Sequence, residues 1–370
     1  MLVAPDAFKG SLTAAQAATA MARGVLSALP RAQIRQLPLA DGGDGSVDAL
    51  VLSGFDRCWF LARGPTGQPQ RSSLAHRGTV AVVEVANSCG LLLLPDGRLE
   101  PLASGTAGLG DAILAALDLN AEEVVVCLGG SASTDGGAGM LGALGARMLD
   151  AHGVAVMPTG GTLGDITELD LAGLDPRLSR TRFTVAADVW SPLLGEDGAA
   201  AVFGPQKGAD LATVRRLEDG LRAWSTVLTE GSGTDVSNTP GAGAAGGTGA
   251  ALLAVLSARS VPGSAFIQSA LGLAEALEWA DVVIVGEGRL DRQSTLGKGA
   301  LSIAARARDA GVLAVAACGS VALSDDLLDA YGLAAWGSVI DRAHDAADAM
   351  HRADEMLATV TAALLSSLEI

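Results

Sequence analysis

The run Glu123-Val-Val-Val-Cys-Leu128 leads at once into Gly129-Gly-Ser-Ala-Ser-Thr-Asp-Gly-Gly137, and beyond it Leu141, Leu144 and Met148 recur at helical spacing. The stretch reads as strand, glycine-rich loop, helix. Five consecutive apolar residues, 124–128, predict a strand buried on both faces, as in a parallel sheet. The nine loop residues hold four glycines, two serines, a threonine and an aspartate, and nothing bulky enough to fill a core. Glycines let backbone N–H groups approach an anion, and a helix start adds partial positive charge. A plain strand-to-helix turn needs fewer residues and fewer glycines. The reading is therefore a ligand loop, in which Asp135 could orient a metal or a proton donor.

Working outward, similar junctions recur. Leu2-Val-Ala4 runs into Pro5-Asp-Ala-Phe-Lys-Gly-Ser11, and Ile34 to Ala40 into Asp41-Gly-Gly-Asp-Gly-Ser46. Phe183 to Ala187 ends at Asp188, and Val282 to Val285 at Gly286-Glu-Gly-Arg-Leu-Asp291. Open α/β sheets bind ligands beyond the carboxyl ends of their strands. If these loops share one cleft, the chain is an enzyme with its chemistry there.

The rest of the chain supports an α/β fold class: two α/β domains with mainly parallel sheets, one of them Rossmann- or flavodoxin-like. From Asp281 onward strands at 282–285, 312–317 and 333–340 alternate with helices at 299–309, 324–330 and 345–367. Residues 1–55 have the same style, and 1–60 is expected to join 280–370 in one discontinuous domain. The inserted domain, 61–279, carries the central loop. A helix is expected over 12–29, capped by Ser11 or Thr13. Strands around 57–62, 72–76 and 79–85 are joined by Gly/Pro turns, with a hairpin at Pro65-Thr-Gly-Gln-Pro69. Ser104 is placed to cap a helix running to Leu117. Residues 151–180 are loop-rich, and a further helix spans about 209–229. The Gly/Ala-rich stretch 231–249 reads as a flexible linker or a second anion loop.

A net charge of −16 over 370 residues argues against nucleic acid and against an anionic membrane surface. No basic leader precedes the first strand, so no signal peptide is expected. No apolar run approaches the ~18 residues of a membrane span. Cys58, Cys89, Cys127 and Cys318 have no C-x-x-C spacing. With Cys127 and Cys318 inside apolar runs, they read as thiols of a reducing cytoplasm. The histidines form no metal spacing, and His344 and His351 read as solvated. Asp41 and Asp44 are too few for an EF-hand; they suit magnesium, a substrate hydroxyl or merely an acidic turn. Of the 25 basic residues only three are lysines, Lys9, Lys207 and Lys298, and each precedes a glycine. A lysine is a compact point charge with rotatable donors, suited to bridging phosphate oxygens.

Known phosphate loops fit poorly. Gly288 to Gly299 is not a Walker A loop, and no G-x-G-x-x-G follows a strand. Leu128-Gly-Gly-Ser-Ala-Ser133 echoes the loop of the galactose, homoserine and mevalonate kinases, but the surrounding α/β alternation does not suit that fold.

The set as a whole resembles the bacterial glycerate kinase type-1 family. The likeness is carried, in order, by Ala4-Pro-Asp-Ala-Phe-Lys-Gly-Ser-Leu-Thr-Ala14, Pro38-Leu-Ala-Asp-Gly-Gly-Asp-Gly-Ser46, Gly129-Gly-Ser-Ala-Ser-Thr-Asp-Gly-Gly-Ala-Gly-Met140, Val202-Phe-Gly-Pro-Gln-Lys-Gly208 and Gly286-Glu-Gly-Arg-Leu-Asp-Arg-Gln-Ser-Thr-Leu-Gly-Lys298. It implies ATP-dependent phosphorylation of D-glycerate, written as giving 2-phosphoglycerate (3-phosphoglycerate in older naming). It also implies two α/β domains with the active site in a cleft between them. Ala7 stands where the family often has Ser, Ser133-Thr134 replaces Thr-Asn, and Trp190-Ser191 replaces Asn-Pro. The first strand is about two residues short of the family pattern, which points to a start upstream.

Within these motifs Asp188, Lys9, Lys298 and Arg289 are the catalytic candidates. Asp188 would accept the hydroxyl proton, and Arg289 would grip the glycerate carboxylate with its planar fork. Ser11, Asp41, Arg289 and Lys207 are the substrate-binding candidates. Gly129, Gly130, Ser131, Thr134, Asp135, Gly136, Gly137 and Lys298 are the ATP or phosphate contacts. Mg²⁺ would take one or two carboxylates, with Asp44 and Asp291 as the first candidates and Asp41 beside them. The expected partners are D-glycerate and ATP, in a cytoplasmic monomer or homodimer. A non-catalytic sugar-acid sensor on the same fold, or a kinase of another small hydroxy acid, are the alternatives.

Overall fold

The computed structural model describes residues 1–295 and 299–368. They form a mixed α/β structure with mainly parallel sheets, in two compact units. The first comprises Met1–Asp41, Asp48–Gly54 and Ser264–Ile370; the second comprises Gly42–Val47 and Phe55–Gly263. The chain thus returns to the first unit at Ser264, and the glycine-rich half of the Asp41–Ser46 motif groups with the second.

The first unit is built on a five-stranded parallel sheet in the order Leu333–Ser338, Leu313–Cys318, Val282–Gly286, Leu2–Pro5, Arg35–Gln36. The strand expected from Ile34 to Ala40 is only two residues long by pairing. Its continuation still follows the first strand, through Leu37 N to Val3 O and Leu39 N to Pro5 O. Central strands read as unbroken apolar runs because helices cover both faces; Leu2, Val3, Val283, Ile284 and Ala314 to Cys318 are all fully buried. The helix Ala14–Ala28 starts at Thr13, not Ser11. The Thr13 hydroxyl accepts from Gln16 N and the Gln16 side chain accepts from Thr13 N, a reciprocal capping box. This helix packs against Ala353–Ser366. A Cβ at Gly24 would lie 2.3 Å from the Ala358 carbonyl oxygen, so only glycine allows that approach.

The second unit holds a six-stranded sheet ordered Arg259–Val261, Arg182–Ala186, Glu123–Cys127, Val80–Glu84, Pro69–Arg77, Asp56–Arg63. The first four are mutually parallel, and the last two form the expected antiparallel hairpin around 65–69. Glu123–Cys127 lies between two parallel neighbours. Residues 124–128 are at most 3% exposed, and a fully buried side chain of this kind contributes about 1.5–3 kcal/mol.

Several local expectations are corrected. The helix after the central loop is only Ala138–Ala143. The chain leaves it through Gly145 at φ +109, a conformation that favours glycine, and Met148 lies in the short strand Arg147–Leu149. Ser104 caps nothing: its hydroxyl donates to Glu100 O, and the helix Ala107–Asp118 follows Thr106. The helix expected at 209–229 is Leu211–Ser232, capped by Asp210. The last helix is divided into Ala346–His351 and Ala353–Ser366. Among the described residues, no helix is long and apolar enough to cross a membrane.

Candidate active site

In the second unit, three parallel strands deliver their loops to one sheet edge. Val80–Glu84 ends in Glu84, Glu123–Cys127 in the glycine-rich loop, and Arg182–Ala186 in Ala187 and the half-buried Asp188. The piece 42–47 lies over the start of this loop. Gly129 N donates to Gly42 O at 3.2 Å, and a Cβ on Gly129 would stand 2.3 Å from Gly43 Cα. Asp44 is exposed, with its Cβ 3.9 Å from the Cβ position of Gly130. Glu84, only 3% exposed, accepts from Gly45 N (3.0 Å) and Val47 N (2.9 Å) and so anchors the piece.

Asp135 is fully buried. Its carboxylate accepts from Thr106 N (2.8 Å), Thr106 Oγ1 (2.8 Å), Gly139 N (3.1 Å) and Gly137 N (3.2 Å). Thr106 Oγ1 in turn accepts from Met140 N at 2.9 Å. One carboxylate thereby satisfies free N–H groups at the starts of two helices, Ala107–Asp118 and Ala138–Ala143. Burial pushes its pKa above the ordinary carboxylate range while the donors of Thr106, Gly139 and Gly137 pull against it. The Asp135 oxygens are thus occupied inside the fold.

Lys207 is likewise turned into the fold. It is 2% exposed, and its Nζ donates to Ser131 Oγ (2.9 Å) and Ser133 O (2.5 Å). Burial lowers its pKa to about 7, with Asp135 opposing. Residues 131–137 are all buried; Gly130 is exposed and Gly129 partly so, so the solvent-facing part of the loop is its first two glycines. Ser133 Oγ and Thr134 Oγ1 are buried without a hydrogen-bond partner among the described residues.

The Gly/Ala-rich stretch is neither linker nor anion loop. Gly246 at φ +66 lies against the central loop, where its Cβ would come 2.1 Å from Ser133 O, and Gly136 N donates to Gly246 O at 3.0 Å. The buried Trp224 indole donates to Gly136 O at 3.0 Å. Gly136 and Gly137 thus serve packing.

In the first unit, Leu2–Pro5 and Val282–Gly286 run side by side, and Asp6 and Glu287 leave the same edge; Asp6 N donates to Gly286 O at 2.8 Å. Burial and the neighbouring Asp41 charge raise the Asp6 carboxyl to about 6. Burial foremost, with the charges of Asp6 and Asp291 added, raises Glu287 to about 7. Glu287 Oε1 has no partner among the described residues and faces the first residue of the helix Gly299–Asp309, 3.2 Å from the Cβ position of Gly299. Gly288 lies on the backbone of Phe8 and Lys9, with its Cβ position 3.3 Å from Lys9 N. Lys9 itself is exposed. Ser11 Oγ donates to Phe8 O at 3.1 Å and closes the turn around Lys9. Arg289 is exposed and pairs through Nε with Asp291 Oδ2 at 3.2 Å. Lys298 lies outside the described residues.

Asp6 and Glu287 stand inside quoted motifs, each immediately after a strand, and that position is the signal that could have singled them out. Glu84 and Thr106 carry no such signal; their role comes from partners 39 and 29 residues away. Among the described residues, no group of three or more His, Cys, Asp or Glu side chains is arranged to hold a metal by itself.

Parallel α/β sheets with a glycine-rich loop at one carboxyl edge, and lysine, arginine and acidic groups at another, define an enzyme of small anionic substrates. A family model, the Glycerate kinase family, matches residues 1–369. The glycerate kinase of Halalkalibacterium halodurans is 39% identical over 361 residues, covering 96% of this chain and 95% of that protein. The glycerate 2-kinase of Escherichia coli is 40% identical over 331 residues, covering 88% and 86%. The crystal structure of a glycerate kinase 2 candidate from Salmonella typhimurium LT2 has a TM-score of 0.83 at 36% identity, covering 100% of this chain and 97% of that one. The chain belongs to the glycerate kinase family and is a glycerate-phosphorylating enzyme.

Proposed function

We propose that the enzyme transfers the γ-phosphoryl group of ATP to the 2-hydroxyl of D-glycerate, with Mg²⁺, in the cytoplasm. The observation that carries the nucleotide reading is the loop 129–137, whose first two glycines reach the surface while Asp135 and Lys207 hydrogen-bond its buried remainder from inside. A rigid backbone cradle suits a reaction that needs positioning and charge neutralisation above all. The 2-position is favoured by the likeness to the Escherichia coli glycerate 2-kinase.

Magnesium takes one or two protein carboxylates together with phosphate oxygens. Asp41, Asp44 and Asp291 remain the residues that would hold it, and the crowding of Asp6 beside Asp41 is of the kind that a cation relieves. When bound, the ion neutralises phosphate charge. Arg289 is assigned to the glycerate carboxylate, an interaction that would replace its exposed pairing with Asp291. Lys9 and Lys298 are assigned to phosphate oxygens, and Asp188 to the hydroxyl proton. Three of the four cysteines, Cys89, Cys127 and Cys318, are buried, as suits a reducing compartment.

Phosphorus NMR of the protein with Mg-ATP and D-glycerate tests the reading. A 2-phosphoglycerate resonance is expected, a 3-phosphoglycerate resonance reverses the regiochemistry, and unconsumed ATP sinks the donor assignment. Asp188→Asn should lower kcat by about a hundredfold or more while ATP binding by calorimetry stays near wild type; an unchanged kcat removes Asp188 from the chemistry.

A further inference from the structure

The surroundings of Lys207 hold more than a brace. Its ammonium is buried, and the charged group facing it, Asp135, already has its oxygens occupied by four donors. Removing an ammonium from water is costly, and that burial lowers the Lys207 pKa to about 7. Two of its three N–H groups are directed at the central loop, to Ser131 Oγ and Ser133 O.

The consequence lies in the polarity of Ser131. A serine hydroxyl has one proton and two acceptor positions, and Lys207 Nζ donates to it at 2.9 Å. The Lys207–Ser131 bond therefore makes Ser131 the acceptor and leaves its proton to be given elsewhere. Among the described residues nothing else bonds Ser131 Oγ, and Ser131, a buried residue, directly follows the accessible Gly129 and Gly130. The backbone there cannot turn away. Leu91 N donates to Gly130 O (3.0 Å), Ala132 N donates to Cys89 O (2.9 Å), and Ser131 bridges Gly90. The rotor of one hydroxyl is the freedom that remains, and Lys207 sets it.

We propose that Lys207 is a positioning residue for phosphoryl transfer: it orients the Ser131 hydroxyl as a donor to a phosphate oxygen of the nucleotide. This rests on the assignment of loop 129–137 to the nucleotide and adds to it a defined donor and the residue that aims it. Lys207 thus contributes through Ser131, without touching the substrate.

The test is steady-state kinetics with Mg-ATP and D-glycerate on Ser131→Ala, Ser131→Thr, Lys207→Met and the Ser131→Ala/Lys207→Met double variant, with thermal unfolding of each. Ser131→Ala is expected to lower kcat/KM for ATP by about tenfold or more, the range of a hydrogen bond to a charged group, with KM for D-glycerate unchanged. Ser131→Thr, which keeps the hydroxyl, should recover most of that loss. The double variant should be no slower than Lys207→Met, because the two residues act in series. Wild-type kcat/KM for ATP in Ser131→Ala, or losses that multiply in the double variant, overturn the inference and leave Lys207 a structural brace. If Lys207→Met does not fold, the Ala and Thr variants of Ser131 still decide. A wild-type protein that fails to use ATP overturns the nucleotide assignment and this inference together; an active wild type indifferent to Ser131→Ala overturns this inference alone.

Discussion

The carboxyl edges of the two sheets carry loops of similar composition put to opposite uses. In the second unit the polar groups are consumed internally: Asp135 receives four donors, Lys207 ties down Ser131 and Ser133, and Trp224 holds Gly136. In the first unit the acidic groups are buried beside one another: burial foremost, with the Asp41 charge added, raises Asp6 to about 6, and burial foremost, with the Asp6 and Asp291 charges added, raises Glu287 to about 7. At one edge the buried carboxylate is matched by four donors; at the other, buried carboxyls lie beside further acids, a cost that a proton or a cation would relieve. Aspartate after a strand is therefore not one kind of signal. Its meaning depends on whether the fold offers it donors or other carboxylates.

The largest effect should come from Asp135→Ala, which strands four buried donors. A loss of roughly 3–5 kcal/mol is expected, the range for breaking a buried charged network, measured by urea unfolding; a loss below about 1 kcal/mol would break the contrast at its centre. Gly246→Ala comes next. Its left-handed backbone and the 2.1 Å approach of a Cβ to Ser133 O should cost roughly 2–3 kcal/mol, and wild-type stability would mean that the brace on the loop is slack.

The smallest effect sharpens the comparison from the other side. Glu287 has a folded pKa of about 7 against an ordinary 4.5, so the folded state holds its proton more tightly than the unfolded chain. Its favourable contribution is complete below pH 4.5 and is lost as pH rises to about 7. Glu287→Gln should therefore stabilise the protein by about 1 kcal/mol at pH 8, allowing for water at the exposed part of the group, and change nothing at pH 4. A variant that is destabilised at pH 8 would show that the first edge is satisfied after all.

Much of this architecture could be read from residue order. The apolar runs 124–128 and 282–285 identify parallel strands because helices on both faces forbid polar alternation. The capping pattern Thr13-x-x-Gln16 marks a helix start within four residues. Where the reading failed, a distant partner overrode the local pattern. Ser104 resembles a cap, but Glu100 O takes its hydroxyl. The stretch 241–249 resembles a linker by composition, but its missing side chains are what let it press on the central loop.

The sequence alone determined the strand–loop–helix order, the fold class and the motifs of the family, because these rest on periodicity and on residues close together in the chain. It did not determine which polar residues face a ligand. Thr106 meets Asp135 across 29 positions and Lys207 meets Ser131 across 76. Asp6 and Glu287 interact only because their strands are neighbours in one sheet. Desolvation and hydrogen bonding are properties of packed surroundings, so only the tertiary structure decided that Asp135 and Lys207 build the loop while Asp6 and Glu287 are buried beside other acids and hold their protons more tightly.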